Sequence, residues 1–141
     1  MNKELQIQVI TYILTRDDRF LAEKRSPNSL FANHVMFPGG TVEKHESDDI
    51  EIALRREVVE ELGVEILEYT AIPVSERIYG RNNATINPFL VTNWRGDLPD
   101  RILDTGAELL WTDIHAMINS PLEVVTRVAI ALRDYLATCQ S

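Results

Sequence analysis

The segment from Ile50 to Gly63 places the strongest constraint on how this chain can fold. Aliphatic side chains recur there at every fourth position, at Ile50, Leu54, Val58 and Leu62. This is the spacing of one face of an α-helix. A glycine directly after the last of them is suited to end a helix. The spacing therefore predicts a helix over 50–62 that packs this stripe against a core.

Three carboxylates, Glu57, Glu60 and Glu61, lie on the same segment at spacings of three and four residues. Residues so spaced are neighbours on a helix surface, so we expect them to project together, mostly away from the apolar stripe. Gathered carboxylates repel one another unless a cation lies among them. Hard divalent cations such as Mg²⁺ and Mn²⁺ prefer oxygen ligands of this kind. The alternative is a solvated acidic face without a ligand.

Composition narrows the class of protein. The 141 residues suit a single domain, 1–141, and 45% of them are hydrophobic, which is enough for a core. The chain carries 22 acidic and 14 basic residues, a net charge of −8. This argues against a nucleic-acid polymer as partner, because phosphate backbones are held mainly by Lys and Arg. A small phosphorylated ligand stays compatible, since a metal ion can supply positive charge locally.

Other features favour a cytoplasmic protein without disulfides. The lone Cys139 excludes an internal disulfide and a cysteine-rich zinc site. The N-terminus lacks the pattern of a signal peptide. No apolar run approaches the roughly 20 residues that a membrane-spanning helix needs, so we expect no membrane partner.

The rest of the chain alternates between strand and helix patterns. Strands are predicted over 5–13, 20–24, 84–94 and 109–111, with one or two more within 64–77. Pro88 suggests an edge strand or a bulge. The sequence Ser120-Pro121-Leu122-Glu123 has the pattern of a capping box with proline at the first helical position, and so predicts where a final helix begins. A mixed sheet packed between helices fits this order of elements.

The stretch from Gly40 to Val64 resembles the Nudix box, G-x5-E-x7-R-E-U-x-E-E-x-G-U, in which U is a bulky aliphatic residue. The matching residues are Gly40, Glu46, Arg56, Glu57, Val58, Glu60, Glu61, Gly63 and Val64. The preceding Phe37-Pro38-Gly39-Gly40 also resembles the usual lead-in of that family. One departure is clear: nine residues separate Glu46 from Arg56, where the family pattern has seven.

The resemblance implies an α/β/α sandwich around a mixed β-sheet and hydrolysis of a nucleoside diphosphate linked to another group. It implies that Glu60 and Glu61 are the principal ligands of Mg²⁺, or of Mn²⁺, with Glu57 as a further ligand or base. The carbonyl of Gly39 would complete part of the shell, and Arg56 would hold a box glutamate in place. The two extra residues leave open whether Glu46, Asp48 or Asp49 takes the place of the first box glutamate. Glycine at 39 and 40 would let the backbone approach a ligand closely.

Further candidates lie outside the box. Arg25 occupies a position where many family members carry an arginine that contacts phosphate; a solvated arginine at a strand end is the alternative. Many family members carry another acid, a metal ligand or base, in a loop before a late strand that contains tryptophan. Asp104 and Glu108 both precede Trp111 in this way. Tyr79 and Phe31 could stack against a base, whereas Phe89 suits core packing better. Arg77 and Arg81 flank a turn, where they could meet phosphates or simply be exposed.

The expected function is that of a Mg²⁺-dependent pyrophosphohydrolase. Its substrate would be a nucleoside triphosphate, normal or oxidised, cleaved to the monophosphate and pyrophosphate, as in the MutT-type branch of the family. Dinucleotide polyphosphates, ADP-ribose and coenzyme A are alternative substrates. An alternative of another class is a non-catalytic module that senses a nucleotide, although such modules generally lose box carboxylates. Members of the family are often dimers, so a homodimer is also expected.

Overall fold

A computed structural model describes residues 7–139. Leu5, with which the first predicted strand begins, lies outside this range. Within it the strands are β1 Gln8–Arg16, β2 Arg19–Lys24, β3 Val35–Met36, β4 Gly39–Thr41, β5 Glu65–Ala71, β6 Ile78–Tyr79, β7 Thr85–Arg95 and β8 Glu108–Thr112. The α-helices are α1 Ile50–Leu62, α2 Ile114–Ile118 and α3 Glu123–Thr138. None of the helices in the described part of the chain has the length and apolarity needed to span a membrane.

The strands form one mixed sheet in the order β3-β2-β1-β7-β5, with β4, β6 and β8 paired at the side of this path. Strands β1 and β7 are parallel, and the other pairs are antiparallel. Strand β1 pairs with β4 through its first half and with β2 only at Thr15 and Arg16. Because the partner of β1 changes along its length, β2 and β4 separate there, and a cavity lies between them.

Helices cover both faces of the sheet. Ile10, Tyr12 and Leu14 of β1 belong to a buried cluster that contains the inner face of α1. Ile13 of the same strand belongs to a second cluster with α2 and α3. β1 is therefore buried on both faces, and the predicted sandwich around a mixed sheet is confirmed.

Helix α1 spans 50–62 as its periodicity predicts. Asp49 caps its first turn by accepting a hydrogen bond from the Glu51 amide at 3.1 Å, and Gly63 ends it with φ +68°. One expectation is wrong: Glu61 does not turn away from the core but is only 7% exposed. The reason is a partner on β1, since the hydroxyl of Tyr12 donates a hydrogen bond to Glu61 Oε1 at 2.8 Å.

Two local predictions also need correction. Pro88 lies in β7, which is an inner strand between β1 and β5. On this side β7 pairs with β5 as far as Phe89 and with β6 at Ile86. Pro88 lies between the two, where the neighbouring strand changes, so a residue without an N–H group is tolerated. The last helix begins at Glu123 rather than inside a capping box, because the Ser120 hydroxyl accepts from the Leu122 amide and closes a separate turn before the helix.

Candidate active site

Strand β4 brings two glycines against neighbours that leave no space for a side chain. Gly39 pairs with Thr11 of β1, and a Cβ at Gly39 would overlap the Ile10 carbonyl. A Cβ at Gly40 would overlap the carboxylate of Glu57. The close approach of backbone to backbone and of backbone to carboxylate explains glycine at both positions. It also places the Gly40 backbone beside Glu57 of α1.

Arg56 of α1 forms hydrogen bonds with polar groups of three segments. Its Nε and Nη2 donate to the two oxygens of Glu46 at 2.7 and 2.8 Å. Its Nη1 donates to Glu57 at 2.8 Å and to Glu60 at 3.2 Å. A fifth bond, of 3.2 Å, runs from Nη2 to the carbonyl of Thr41. All five donors of the guanidinium are used, so Arg56 ties α1 to β4 and to the loop that precedes the helix.

Of the three acids Glu46, Asp48 and Asp49, the structure brings Glu46 to Arg56. The Glu46 carboxylate is 1% exposed and also accepts from the Glu43 amide at 2.9 Å. The hydrogen bonds from Arg56 lower the pKa of Glu46 to about 2. The two extra residues are absorbed between a 3₁₀ turn, Lys44–Glu46, and the start of α1. Asp49 is used as the cap of that helix.

Glu43, His45 and Glu46 are the group in residues 7–139 whose potential metal-ligating atoms all lie within 4.8 Å of one another. The guanidinium of Arg56 already lies there, 3.8 Å from Glu43 and bonded to both oxygens of Glu46. A divalent cation at this point would compete with that fixed positive charge. Glu46 therefore differs from the other acids of the box in that both of its oxygens are held by Arg56.

Glu57, whose carboxylate lies against Gly40, and Glu61, one helical turn further along α1, have raised pKa values. Burial is the largest cause for both. The pKa of Glu61 rises to about 8, further increased by the charges of Glu57, Glu23 and Asp104 and opposed by the hydrogen bond from Tyr12. Glu61 forms no ion pair within residues 7–139. Carboxylates that repel one another, one of them buried without a cationic partner among these residues, suit a divalent cation.

Glu60 differs from its neighbour Glu61 in exposure. Its side chain is 52% exposed, and its contact is the hydrogen bond from Arg56. It thus lies at the rim of the acid cluster, where it faces solvent.

The structure separates the two acids predicted from the loop before β8. Asp104 is close enough that its charge raises the pKa of both Glu57 and Glu61, and the neighbouring Leu103 amide donates to the Glu61 carbonyl at 2.9 Å. Glu108 begins β8, is exposed, and pairs with Arg101 at 3.4 Å. Of the two acids, Asp104 is the one whose charge acts on Glu57 and Glu61.

A cavity of about 690 Å³ opens beside Gly39 and extends between β1, β2, β4 and the start of α3. Its lining includes five of the residues considered from the sequence: Arg25, Phe31, Gly39, Tyr79 and Arg81. The aromatic side chains of Phe31 and Tyr79 are 36% and 50% exposed. The lining does not include Arg77, and Phe89 is buried in the core as expected.

Arg25 is held in the wall of this cavity. Its Nη1 donates to Glu23 at 2.9 Å, and its Nε donates to the Leu30 carbonyl at 3.3 Å. Glu23 is only 5% exposed and lines the same cavity. This arrangement argues against a freely solvated Arg25.

Tyr12 and Glu23 contact the site residues but were not among the sequence-based candidates. A signal for both exists, because Tyr12 lies within the largely apolar stretch Val9–Leu14 and Glu23 directly follows the apolar run Phe20–Ala22. What could not be read is that β1 and β2 turn these side chains toward Glu61 and Arg25.

The comparisons with known proteins agree with this architecture. The model of the NUDIX domain matches residues 4–134. The 8-oxo-dGTP diphosphatase of Proteus vulgaris is 34% identical over 65 residues, 46% of this chain and 56% of that protein. The 8-oxo-dGTP diphosphatase of Buchnera aphidicola is 40% identical over 60 residues, 43% of this chain and 47% of that protein. The chain thus spans about half the length of these curated relatives.

Solved structures extend the likeness over nearly the whole chain. The MutT Nudix hydrolase from Burkholderia pseudomallei has a TM-score of 0.68 at 25% identity, covering 92% of this chain and 98% of its own. A MutT structure described for Aliivibrio salmonicida and Vibrio cholerae has a TM-score of 0.69 at 21% identity, covering 93% and 100%. At 21% identity the second likeness supports the fold only.

Proposed function

Because the chain belongs to the NUDIX domain family, we propose that it is a pyrophosphohydrolase that cleaves a nucleoside triphosphate, normal or oxidised, to the monophosphate and pyrophosphate. The observation that carries this proposal is the junction of two features at Gly39 and Gly40. The Glu57 carboxylate of α1 lies against the backbone of Gly40, and a cavity with exposed aromatic rings and a fixed arginine opens beside the neighbouring Gly39. The relatives named 8-oxo-dGTP diphosphatase support the choice of a nucleoside triphosphate.

The residues fit a divalent cation, Mg²⁺ or Mn²⁺. Glu57, Glu60, Glu61 and the Gly39 carbonyl would hold it, all of them oxygen donors. When bound, the cation neutralises charge on the phosphate oxygens and lowers the pKa of a water molecule. We assign Glu46 a different role, that of positioning Arg56, which in turn orients Glu57 and Glu60.

The chain's own residues would do the remaining work. The water oxygen forms a bond to phosphorus, the anhydride bond to the departing pyrophosphate breaks, and a carboxylate accepts the proton of the water. Asp104 is our candidate for that carboxylate, because its charge acts on Glu57 and Glu61 from the loop before β8. Glu57 is the alternative. Arg25, held by Glu23, would bind phosphate with its remaining N–H groups, and Tyr79 and Phe31 would pack against the base.

The direct test is a panel of nucleotides incubated with Mg²⁺, with products identified by mass. The panel contains 8-oxo-dGTP, dGTP, a dinucleotide polyphosphate, ADP-ribose and coenzyme A. We expect 8-oxo-dGTP or dGTP to yield the monophosphate and pyrophosphate, and Glu60→Gln to lose that activity while remaining folded. Nucleotide binding without product, or equal release by Glu60→Gln, would instead indicate a module that only senses the nucleotide.

A pair of matched variants tests the assignment of the proton acceptor. Asp104→Asn should lower kcat by about 10²-fold or more, as removal of a general base does. Glu108→Gln, in the same loop region but paired with Arg101, should leave kcat unchanged. The reverse order of effects would exclude Asp104 from the site and bring in Glu108.

A further inference from the structure

Tyr12 is a polar residue at the centre of the fold, and it lies outside the segment Gly40–Val64 that resembles the Nudix box. It lies in the middle of β1 with no exposed surface, yet it carries a hydroxyl group. A buried hydroxyl needs a partner, and this one donates to Glu61 Oε1 at 2.8 Å. The two residues are 49 positions apart in the chain, so the bond depends on how α1 packs on the sheet.

The backbone of Tyr12 is fixed from two sides. Its amide donates to the carbonyl of Pro38 at 3.0 Å, directly before Gly39. On its other side β1 runs parallel to β7, with Tyr12 in register with Phe89. One residue thus joins the backbone that leads into Gly39 to the side chain of Glu61.

This arrangement has a consequence for Glu61. A carboxylate with one oxygen bonded to a rigid donor is fixed in orientation. Its second oxygen is then already in place for a cation, and less side-chain entropy is lost on binding. The other neighbours whose charges reach Glu61, namely Glu57, Glu23 and Asp104, are acids that would push the carboxylate away. Tyr12 opposes that repulsion without itself bringing a positive charge.

We propose that Tyr12 is a positioning residue that holds Glu61, and the segment before Gly39, in the arrangement that binds the divalent cation. This inference depends on the proposed function, since it assumes that Glu61 is a metal ligand. Partners of metal ligands typically contribute a factor of about 10 to 100 in metal affinity or activity. The expected effect of losing the hydroxyl is therefore on cation affinity rather than on the nucleotide cavity.

The test is titration of Mn²⁺ into Tyr12→Phe, followed by calorimetry. The substitution keeps the ring and the backbone bonds and removes only the hydroxyl. We expect Mn²⁺ to bind about 10 to 100-fold more weakly, and the Mn²⁺ concentration for half-maximal activity to rise by the same factor. Excess Mn²⁺ should restore kcat. Affinity equal to that of the wild type would show that Tyr12 has only a structural role.

Tyr69→Phe is the matched control. The Tyr69 hydroxyl also donates to a glutamate of α1, but to Glu51 in the first turn, far from the acid cluster. Mn²⁺ affinity should be unchanged in this variant. A loss as large as that of Tyr12→Phe would mean that any tyrosine contact with α1 matters, and would overturn the specific role of Tyr12.

Two measurements complete the design. In the Glu61→Gln background, Tyr12→Phe should cause no further loss of Mn²⁺ affinity, because the two residues act as a unit; an additive loss would overturn the proposal. Should Tyr12→Phe not fold, the near-ultraviolet spectrum of Tyr69→Phe is recorded with and without Mn²⁺. Tyr12 is the buried tyrosine in that variant, so Mn²⁺ should change its signal. An unchanged spectrum would overturn the proposal. A wild-type protein that binds no Mn²⁺ overturns the proposed function too, whereas a failure confined to Tyr12→Phe leaves that function intact.

Discussion

The substitution Glu61→Gln should stabilise the metal-free protein while removing its function. In the folded chain Glu61 has a pKa of about 8, against the ordinary value of 4.5. Because the folded pKa is raised, folding is most favourable below pH 4.5, where the carboxyl is protonated in both states. Stability is then lost as the pH rises through about 8, since the unfolded chain releases the proton earlier. Glutamine removes this cost.

The magnitude follows from the shift. At pH 7 the unfolded carboxyl is ionised and the folded one still largely protonated, so the difference from 4.5 corresponds to about 3 kcal/mol at about 1.4 kcal/mol per pH unit. The glutamine amide can still accept from Tyr12, but its new donors need partners among the acids nearby, which offsets about 1 kcal/mol. We therefore expect about 2 kcal/mol of stabilisation, or a rise in Tm of about 4 to 8 °C.

The assay is thermal unfolding in EDTA across pH 5 to about 9, followed by circular dichroism. The advantage of Glu61→Gln over the wild type should grow with pH up to about 8 and then level off. In Mg²⁺ the order should reverse, because a ligand that binds only the folded wild type stabilises it by about 2.7 kcal/mol at 100 times its dissociation constant.

Glu60→Gln is the control for this experiment. Its side chain is 52% exposed, so the substitution should change the free energy of unfolding by less than about 1 kcal/mol in EDTA while still weakening the response to Mg²⁺. The reasoning is refuted if Glu61→Gln destabilises the metal-free protein at every pH, or if its effect does not vary with pH.

Three further substitutions test the contacts around the site. Arg56→Lys should destabilise the fold by about 2 kcal/mol, because lysine cannot hold both oxygens of Glu46; denaturant titration measures this, and the contribution of Glu46 should vanish in the wild type as the pH falls from 4.5 to about 2, since its folded pKa is lowered. Gly40→Ala should reduce kcat by about 10²-fold with little change in circular dichroism, because its Cβ displaces the Glu57 carboxylate. Tyr79→Ala should raise KM about fivefold with kcat unchanged, as expected for about 1 kcal/mol of stacking on a base; an effect on kcat alone would remove Tyr79 from the base site.

Local patterns were sufficient for α1. Its periodic stripe, its acidic start and Gly63 are all signals within about four residues of each other, and the observed helix has the predicted bounds. The fold class also followed from the order of strands and helices. Such signals do not depend on which distant segment packs against the helix, which explains why they were reliable.

Apart from the capping box at Ser120, where a local turn decided the outcome, the errors involve partners that are distant in sequence. The inward direction of Glu61 depends on Tyr12, a residue of another element. Pro88 could be placed only once the change from β5 to β6 along β7 was known. Asp104 and Glu108 differ by four positions, and no local pattern shows which of them the loop brings toward α1. Tertiary contacts decide such questions, and a single sequence does not display them.

The observed directions of Glu60 and Glu61 revise the idea that the box acids form one face. Consecutive helical residues are separated by about 100° around the axis, so two adjacent glutamates point in different directions. Here one is buried against Tyr12 and the other is exposed beside Arg56. A cation at this edge would meet a fixed interior ligand and a solvent-facing one. The interior ligand costs stability without metal, whereas the outer one does not, which is why we expect Glu61→Gln and Glu60→Gln to impair function alike and stability differently.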